Sequence, residues 1–505
     1  MGVIIRQSIK GTIANYIGIA VGFVTTFFIL TKYLTTEEVG LTRVLVDAAI
    51  LFSTLAQLGT GSSILRYFPY FKDDDKNHGI FFWTLIIPFI GFLVFLVVFF
   101  LCKELIINTF QDNSALFVNY FYFVIPIAFF MLYMAVFEVN ATILNRVAIP
   151  KFIREVIIRC CLLIGYILFG LGVISLDGLV IVFCATYGLA ALLNLVYLLS
   201  SGKVSFKPDF KHITKSLVTN FLWYTLFMVV SALVNSAMPT LSSFFISAQQ
   251  GLAFAGIYAI ANYIAAVIEV PYRSLGAITQ PHISVAIKEN DIPQATRLCQ
   301  KVALHQFLAG SVIFLIIWIN IDLFFHILPN GDQYVAGKWA VFILSLSKLL
   351  NSSFGIGGSA LGYTKFYYFS LIFTLLLMVA SITLNIVLVP KFGINGGAMA
   401  TLLSYLIFYV FLLWFVQKKV GTTPFSWNLL KVVGLIGLLY LLNVGCHFVS
   451  SHLITSTSIV PWLAEAVIRT GFICAIGVYI LYRWNISPEV NLMIQKVIAK
   501  MKRSS

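Results

Sequence analysis

Charge is scarce in this chain. Only 10% of its 505 residues are Asp, Glu, Lys or Arg, and the acids are scarcest, 19 against 33 bases. A soluble protein of several domains carries about 25%, so that class is excluded. Catalytic motifs are missing as well. No GxSxG, HExxH, Walker loop or Asp-rich metal motif occurs, and His305, His326, His447 and His452 are not grouped like ligands. No catalytic residue, metal or cofactor is therefore assigned. The seven cysteines contain no CxxC pair. Most lie in apolar segments (Cys160, Cys161, Cys184, Cys446, Cys474) and read as packing residues.

What is present in abundance is apolar length. The chain is 60% hydrophobic, and runs of about 20 apolar residues recur from end to end, each enough to cross a bilayer as a helix. Lipid offers the backbone no hydrogen-bond partner, so helices are the expected element. The first run, 13–30, is long and no small-x-small cleavage site follows it, so it is expected to stay as a helix. Spans are expected near 11–31, 40–66, 80–101, 116–141, 154–174, 178–199, 218–245, 254–275, 301–320, 339–360, 367–389, 396–416, 429–449 and 461–482. The fold class is all-α integral membrane protein with about 14 transmembrane helices. An even number puts both termini on one side. The loops on that side hold 26 Lys and Arg, and those on the other hold 5. That bias predicts cytoplasmic termini. It accounts for the net charge of +14 without nucleic acid, and the basic loops are expected to attract anionic lipid headgroups. Two cytoplasmic segments exceed a turn: 200–215, and 281–301, where a short surface helix is expected after Pro293.

One stretch occurs twice in outline. KYLTTEEVGLTRVLVDAAILFSTLAQLGTGSSILRYFP (32–69) runs from a polar turn into an apolar helix and stops at Arg66, Tyr67 and Pro69. SAQQGLAFAGIYAIANYIAAVIEVPYRSLGAITQP (247–281) repeats that plan. Gly40 and Gly256 are 216 apart in the numbering. Lys151-Phe152 and Lys365-Phe366 are 214 apart, and Asp177-Gly178 and Asn395-Gly396 are 218 apart. A shared offset predicts two six-helix halves, as in many transporters. The expected organisation is an N-lobe over 1–199, an interlobe linker over 200–217 and a C-lobe over 218–416. Two extra helices and a basic tail occupy 417–505.

Polar residues inside spans are the remaining signal, because an ionisable group at mid-membrane costs a few kcal/mol unless it meets a cavity or a partner. Asp47, Thr54, Gln57 and Gly61 fall on one helical stripe. Asn262, Glu269 and Arg273 fall on the corresponding one, with Arg273 at the same offset from Gln57 as Gly256 from Gly40. Ser345, Lys348, Ser352, Gly355 and Ser359 form a third. Arg43 with Asp47, Glu269 with Arg273, and Glu465 with Arg469 are i,i+4 pairs that could equally be structural. Arg66, Arg159 and Arg273 lie near cytoplasmic ends, where anchoring and ligand binding are both open. Lys348 is deeper and has no acid within a turn. Asn15, Asn194, Asn235 and Asn385 suit hydrogen bonds between helices.

The 33–69 stretch, together with AGIYAIANYIAAVIEVP, PHISVAIKENDIPQATRL and VPKFGINGGAMATLLSY, resembles the polysaccharide (O-antigen type) flippase family of the multidrug, oligosaccharidyl-lipid and polysaccharide exporter superfamily, over roughly residues 5–420. That resemblance implies two pseudo-symmetric six-helix lobes in a V shape, alternating access, and two additional C-terminal helices. It implies a lipid-linked oligosaccharide on polyprenyl pyrophosphate, moved to the periplasmic leaflet of a bacterial inner membrane for O-antigen or lipopolysaccharide synthesis. Arg66, Arg159, Arg273 and Lys348 would then meet the pyrophosphate, and Gln57, Asn235 and Asn262 the sugar. Asp47 and Glu269 would couple transport to H+ or Na+. The competing expectations are a cation-coupled multidrug exporter of the same superfamily and a membrane polysaccharide polymerase or ligase.

Overall fold

A computed structural model describes residues 2–68, 79–202, 204, 215–366, 368–453 and 459–504. Pro69 and most of the expected linker, 205–214, lie outside the described residues. All of the described elements are helices. Among the described residues, 12 are long and apolar enough to cross a membrane. Two local features reconcile that number with fourteen expected spans. Tyr368–Lys419 is one 52-residue element interrupted at Gly393, whose φ of 54° and ψ of −129° break the helix. Two apolar spans are joined there. The segment from 148 to 170 is instead divided, into Ala148–Phe152, a π-helical turn Ile153–Ile157, and Ile158–Gly170.

The elements start where their sequences dictate. Thr35 caps Thr36–Ala56 in a reciprocal box: its hydroxyl accepts from Glu38 N, and its own N–H donates to Glu38 Oε2 at 2.8 Å. Such caps contribute about 1 kcal/mol. Ser175 caps Leu176–Leu199. Gly393 stands 218 positions after Ser175, the offset that relates Asp177-Gly178 to Asn395-Gly396, and there the helix restarts. Inside Ile80–Phe110, Pro88 removes a backbone donor, and the Tyr133 hydroxyl donates to a carbonyl of the preceding turn, Leu85 O, at 3.3 Å.

Two expectations are corrected. The 40–66 span is broken after Ala56, with Leu58 and Gly59 in left-handed conformation, so Gly61 stands on a separate helix, Thr60–Tyr67, and not on the helix of Asp47. No separate surface helix follows Pro293: with Asp291 as N-cap, Ile292–Ile319 runs as one helix from that proline into the span.

The chain forms two compact units. The first comprises Met1–Ile260, Leu328–Gln333 and Ser381–Gly397. Within it, Gly40 and Gly256 meet at a crossing of Thr36–Ala56 with Leu252–Ala266. A Cβ on Gly40 would overlap the Leu252 carbonyl oxygen and stand 3.1 Å from Gly256 N. One on Gly256 would overlap the Thr36 carbonyl oxygen and stand 3.0 Å from Gly40 N. Thr36 and Leu252 share the offset of the two glycines, so the crossing is its own image under the repeat. Small residues permit this approach because helix association in lipid depends on close packing. The second unit comprises Ala261–Ile327, Tyr334–Ala380 and Ala398–Ser505. There the last two spans, Trp427–Leu453 and Ile459–Arg483, pack on Ile292–Ile319 through Leu304, Leu308, Leu435, Leu439 and Ile473.

Candidate functional site

The second unit gathers a polar network inside its spans. Glu269 sits in a short 3-10 turn, Val267–Glu269, between Leu252–Ala266 and Val270–Lys288, whose first turn holds Pro271. The turn presents Glu269 to Lys338–Gly362. Lys348 Nζ lies 3.6 Å from Glu269 Oε2, with the two side chains 16% and 15% exposed. Asn351, one turn further along, donates Nδ2–H to Glu269 Oε1 at 3.1 Å. The buried Tyr409 hydroxyl donates to Asn351 Oδ1 at 2.8 Å. A Cβ on Gly355 would lie 3.1 Å from the Tyr272 hydroxyl and 3.6 Å from that of Tyr409, so the missing side chain is what lets both phenols gather there.

The arrangement is that of a compensated charge. A lone ammonium or carboxylate at this depth would carry a desolvation penalty of several kcal/mol. The pair offsets it by mutual attraction, and the amide fills the second carboxylate oxygen. Lys348 thus does have an acid, supplied by a distant part of the chain rather than by its own helix. An anion reaching Lys348 would compete with Glu269 for it.

The other expected site residues are dispersed. Arg43 Nε meets Asp47 Oδ2 at 2.9 Å, and Asp47 is fully buried. Arg159 donates to the Gly18 carbonyl and meets Glu155 at 2.9 Å. Arg66 is exposed at the end of Thr60–Tyr67, with its guanidinium 4.2 Å from the centre of the Tyr224 ring. Gln57 is half-buried at the end of the Asp47 helix, beside Gly61. Asn235 is exposed and donates back to the Ser231 carbonyl at 2.7 Å. Asn262 is half-buried on Leu252–Ala266. The side chain of Arg273 lies outside the described residues. Of all these, the structure joins Lys348 with Glu269 and leaves Asp47 with its helical neighbour Arg43.

Asn351, Tyr409 and Tyr272 escape sequence reasoning. Asn351 carries a signal, since it follows Lys348 by one helical turn; the two tyrosines are indistinguishable by pattern from the rest of the 23. Among the described residues, no three His, Cys, Asp or Glu side chains gather as a metal ion would require.

Comparison with known proteins places this geometry in context. Over 96% of the chain and 100% of the other, the fold is similar to that of lipid II flippase MurJ in an inward closed conformation, with TM-score 0.71 and 15% identity. It is also similar to an inward-facing multidrug resistance MATE family transporter of the MOP superfamily, at TM-score 0.59 and 15% identity over 80% of this chain and 95% of that one. Two uncharacterized membrane proteins of Methanocaldococcus jannaschii match in sequence. One is 27% identical over 42% of this chain and 51% of that one, the other 24% identical over 49% and 48%. The chain spans about half the length of these curated relatives. The model of the family described as polysaccharide biosynthesis protein matches residues 5–284, more than half of the chain. On that match, this multi-pass membrane protein belongs to the polysaccharide biosynthesis protein family.

Proposed function

We propose that the protein is a flippase of the bacterial inner membrane, with both termini cytoplasmic. It carries an oligosaccharide linked to polyprenyl pyrophosphate from the cytoplasmic to the periplasmic leaflet, by alternating access of two six-helix lobes, for cell-surface polysaccharide biosynthesis. The observation that carries this reading is Lys348, a base deep in a span and neutralised by Glu269 across two helices. With no substrate bound the two charges compensate one another. A pyrophosphate that takes Lys348 leaves Glu269 uncompensated, and a proton or a sodium ion then neutralises it. One lysine shared between a fixed acid and a moving anion links substrate to ion. Arg66, Arg159 and Arg273 are the further bases assigned to the anionic head, and Gln57, Asn235 and Asn262 the amides assigned to the sugar. Asp47, fully buried, is the second coupling acid.

The test follows a lipid-linked oligosaccharide between leaflets of reconstituted vesicles, with and without a proton or sodium gradient. Movement at constant glycan length, lost in Lys348→Ala at normal protein levels, is expected. Glycan elongation would replace this reading by a polymerase, and transport of cationic drugs alone would replace it by a drug exporter.

A further inference from the structure

A second polar site lies in the second unit, apart from the Lys348 network. A cavity of about 290 Å³ opens where the end of Ile292–Ile319 meets Trp427–Leu453 and Ile459–Arg483. At its base Arg469 and Glu465 are each more than nine-tenths buried, with Arg469 Nε 2.8 Å from Glu465 Oε1. The guanidinium is held further by Asn443 Oδ1 at 2.6 Å and by the Ile319 carbonyl at 3.3 Å. At the rim, Lys338 Nζ meets Asp322 at 2.6 Å, and Asp322 is largely exposed. His447 Nδ1 stands 3.9 Å from Glu465.

Three features of the cavity define its occupant. Its walls set two acids, Glu465 and Asp322, against two bases, Arg469 and Lys338. A pyrophosphate would meet two carboxylates there, whereas a ligand carrying one charge of each sign is complemented at both ends. Trp318, Trp462 and Tyr440 line the cavity, and such rings favour the level of lipid headgroups. An apolar groove of about 100 Å³, lined by Leu308, Val312, Leu439 and Val478, continues from it between the same three helices, with Ile319 lining both. On the same two C-terminal helices Leu441, Val467 and Ile468 are exposed, as lipid-facing residues are.

We propose that this cavity binds the headgroup of a zwitterionic aminophospholipid, with phosphatidylethanolamine chemistry. The ammonium donates to Glu465 and Asp322, the phosphate accepts from Lys338, and an acyl chain follows the groove. Arg469 is a positioning residue that fixes Glu465. A carboxylate has acceptor capacity beyond one guanidinium contact, and the Lys338–Asp322 pair, with Asp322 largely in solvent, opens at little cost because surface pairs contribute little.

The experiment titrates the delipidated protein with phosphatidylethanolamine, phosphatidylcholine, phosphatidylglycerol and a polyprenyl diphosphate, counting bound lipids by native mass spectrometry. Phosphatidylethanolamine is expected to bind at least about ten-fold more tightly than phosphatidylcholine, which has no N–H to donate to either carboxylate, as the loss of even one hydrogen bond to a charged group implies. Asp322→Asn and Lys338→Gln, both at the rim, are each expected to lower that affinity several-fold while leaving the lipid-free unfolding temperature unchanged. Equal binding of the three phospholipids, preference for the diphosphate, or indifference to both rim variants would overturn the proposal.

Discussion

The Gly40–Gly256 crossing makes a prediction whose size and symmetry both come from the structure. Adding a methyl group at either position drives a Cβ into a backbone carbonyl oxygen, Leu252 O in one case and Thr36 O in the other. A carbonyl inside a helix cannot swing aside as a long side chain can, so the helices must separate by roughly 1 Å and lose contacts along the crossing. Overpacking of this kind costs about 1–3 kcal/mol. Alanine returns about 1 kcal/mol through its better helix propensity. Gly40→Ala and Gly256→Ala are therefore each expected to destabilise by about 1 kcal/mol, and Gly→Val at either site by more, since its branched Cβ is larger and stiffer.

Because Thr36 and Leu252 are related by the same offset as the glycines, the two single variants should match one another. The double variant should cost clearly less than their sum, since the separation forced by one methyl group accommodates the other. Denaturation of the detergent-purified protein, as a double-mutant cycle, measures this. Additive penalties, or a neutral Gly256→Ala beside a costly Gly40→Ala, would refute the reasoning, because a symmetric crossing permits neither.

Other consequences concern the polar contacts. Lys348→Ala strands Glu269, and breaking a pair this buried is expected to cost about 3–5 kcal/mol; adding Glu269→Ala should recover most of that stability but not transport, and a Lys348→Ala protein as stable as wild type would remove the pair from the argument. Tyr409→Phe deletes the hydroxyl that orients Asn351 and is expected to cost about 1 kcal/mol by thermal unfolding. Outside the membrane, Glu489 is held down to about 2 from an ordinary 4.5, chiefly by the hydrogen bond from Lys301 at 2.7 Å. A depressed acid stabilises above its ordinary value and loses that contribution as pH falls toward 2. Docking of Pro488–Ser504 should therefore loosen between about pH 4.5 and 2, as read by hydrogen-exchange protection corrected for the intrinsic rate, and in Glu489→Gln that protection should not change over the interval.

How much of this is legible in the sequence depends on whether a signal is local or long-range. Spans are legible because lipid forces every backbone donor into a helix, so apolar length alone marks an element. The interruptions are not: the π turn Ile153–Ile157 and the left-handed Leu58 answer to packing that apolar length does not encode. The i,i+4 pairs Arg43–Asp47 and Glu465–Arg469 are legible and are formed. The partner of Lys348 is not, since nothing in a stripe of one helix says which other helix will face it. The repeat is the exception. A shared offset is a statement about symmetry, and symmetry constrains pairs that local pattern cannot reach: if Gly40 meets Leu252, then Gly256 must meet Thr36. Lys348–Glu269 has no such counterpart. At the offset that relates the two glycines, Lys348 corresponds to Leu132 and Glu269 to Ser53, neither of them charged. The charge pair therefore breaks the symmetry that the glycine crossing obeys: the crossing needs a small residue on both helices, whereas a carboxylate and an ammonium need only one another.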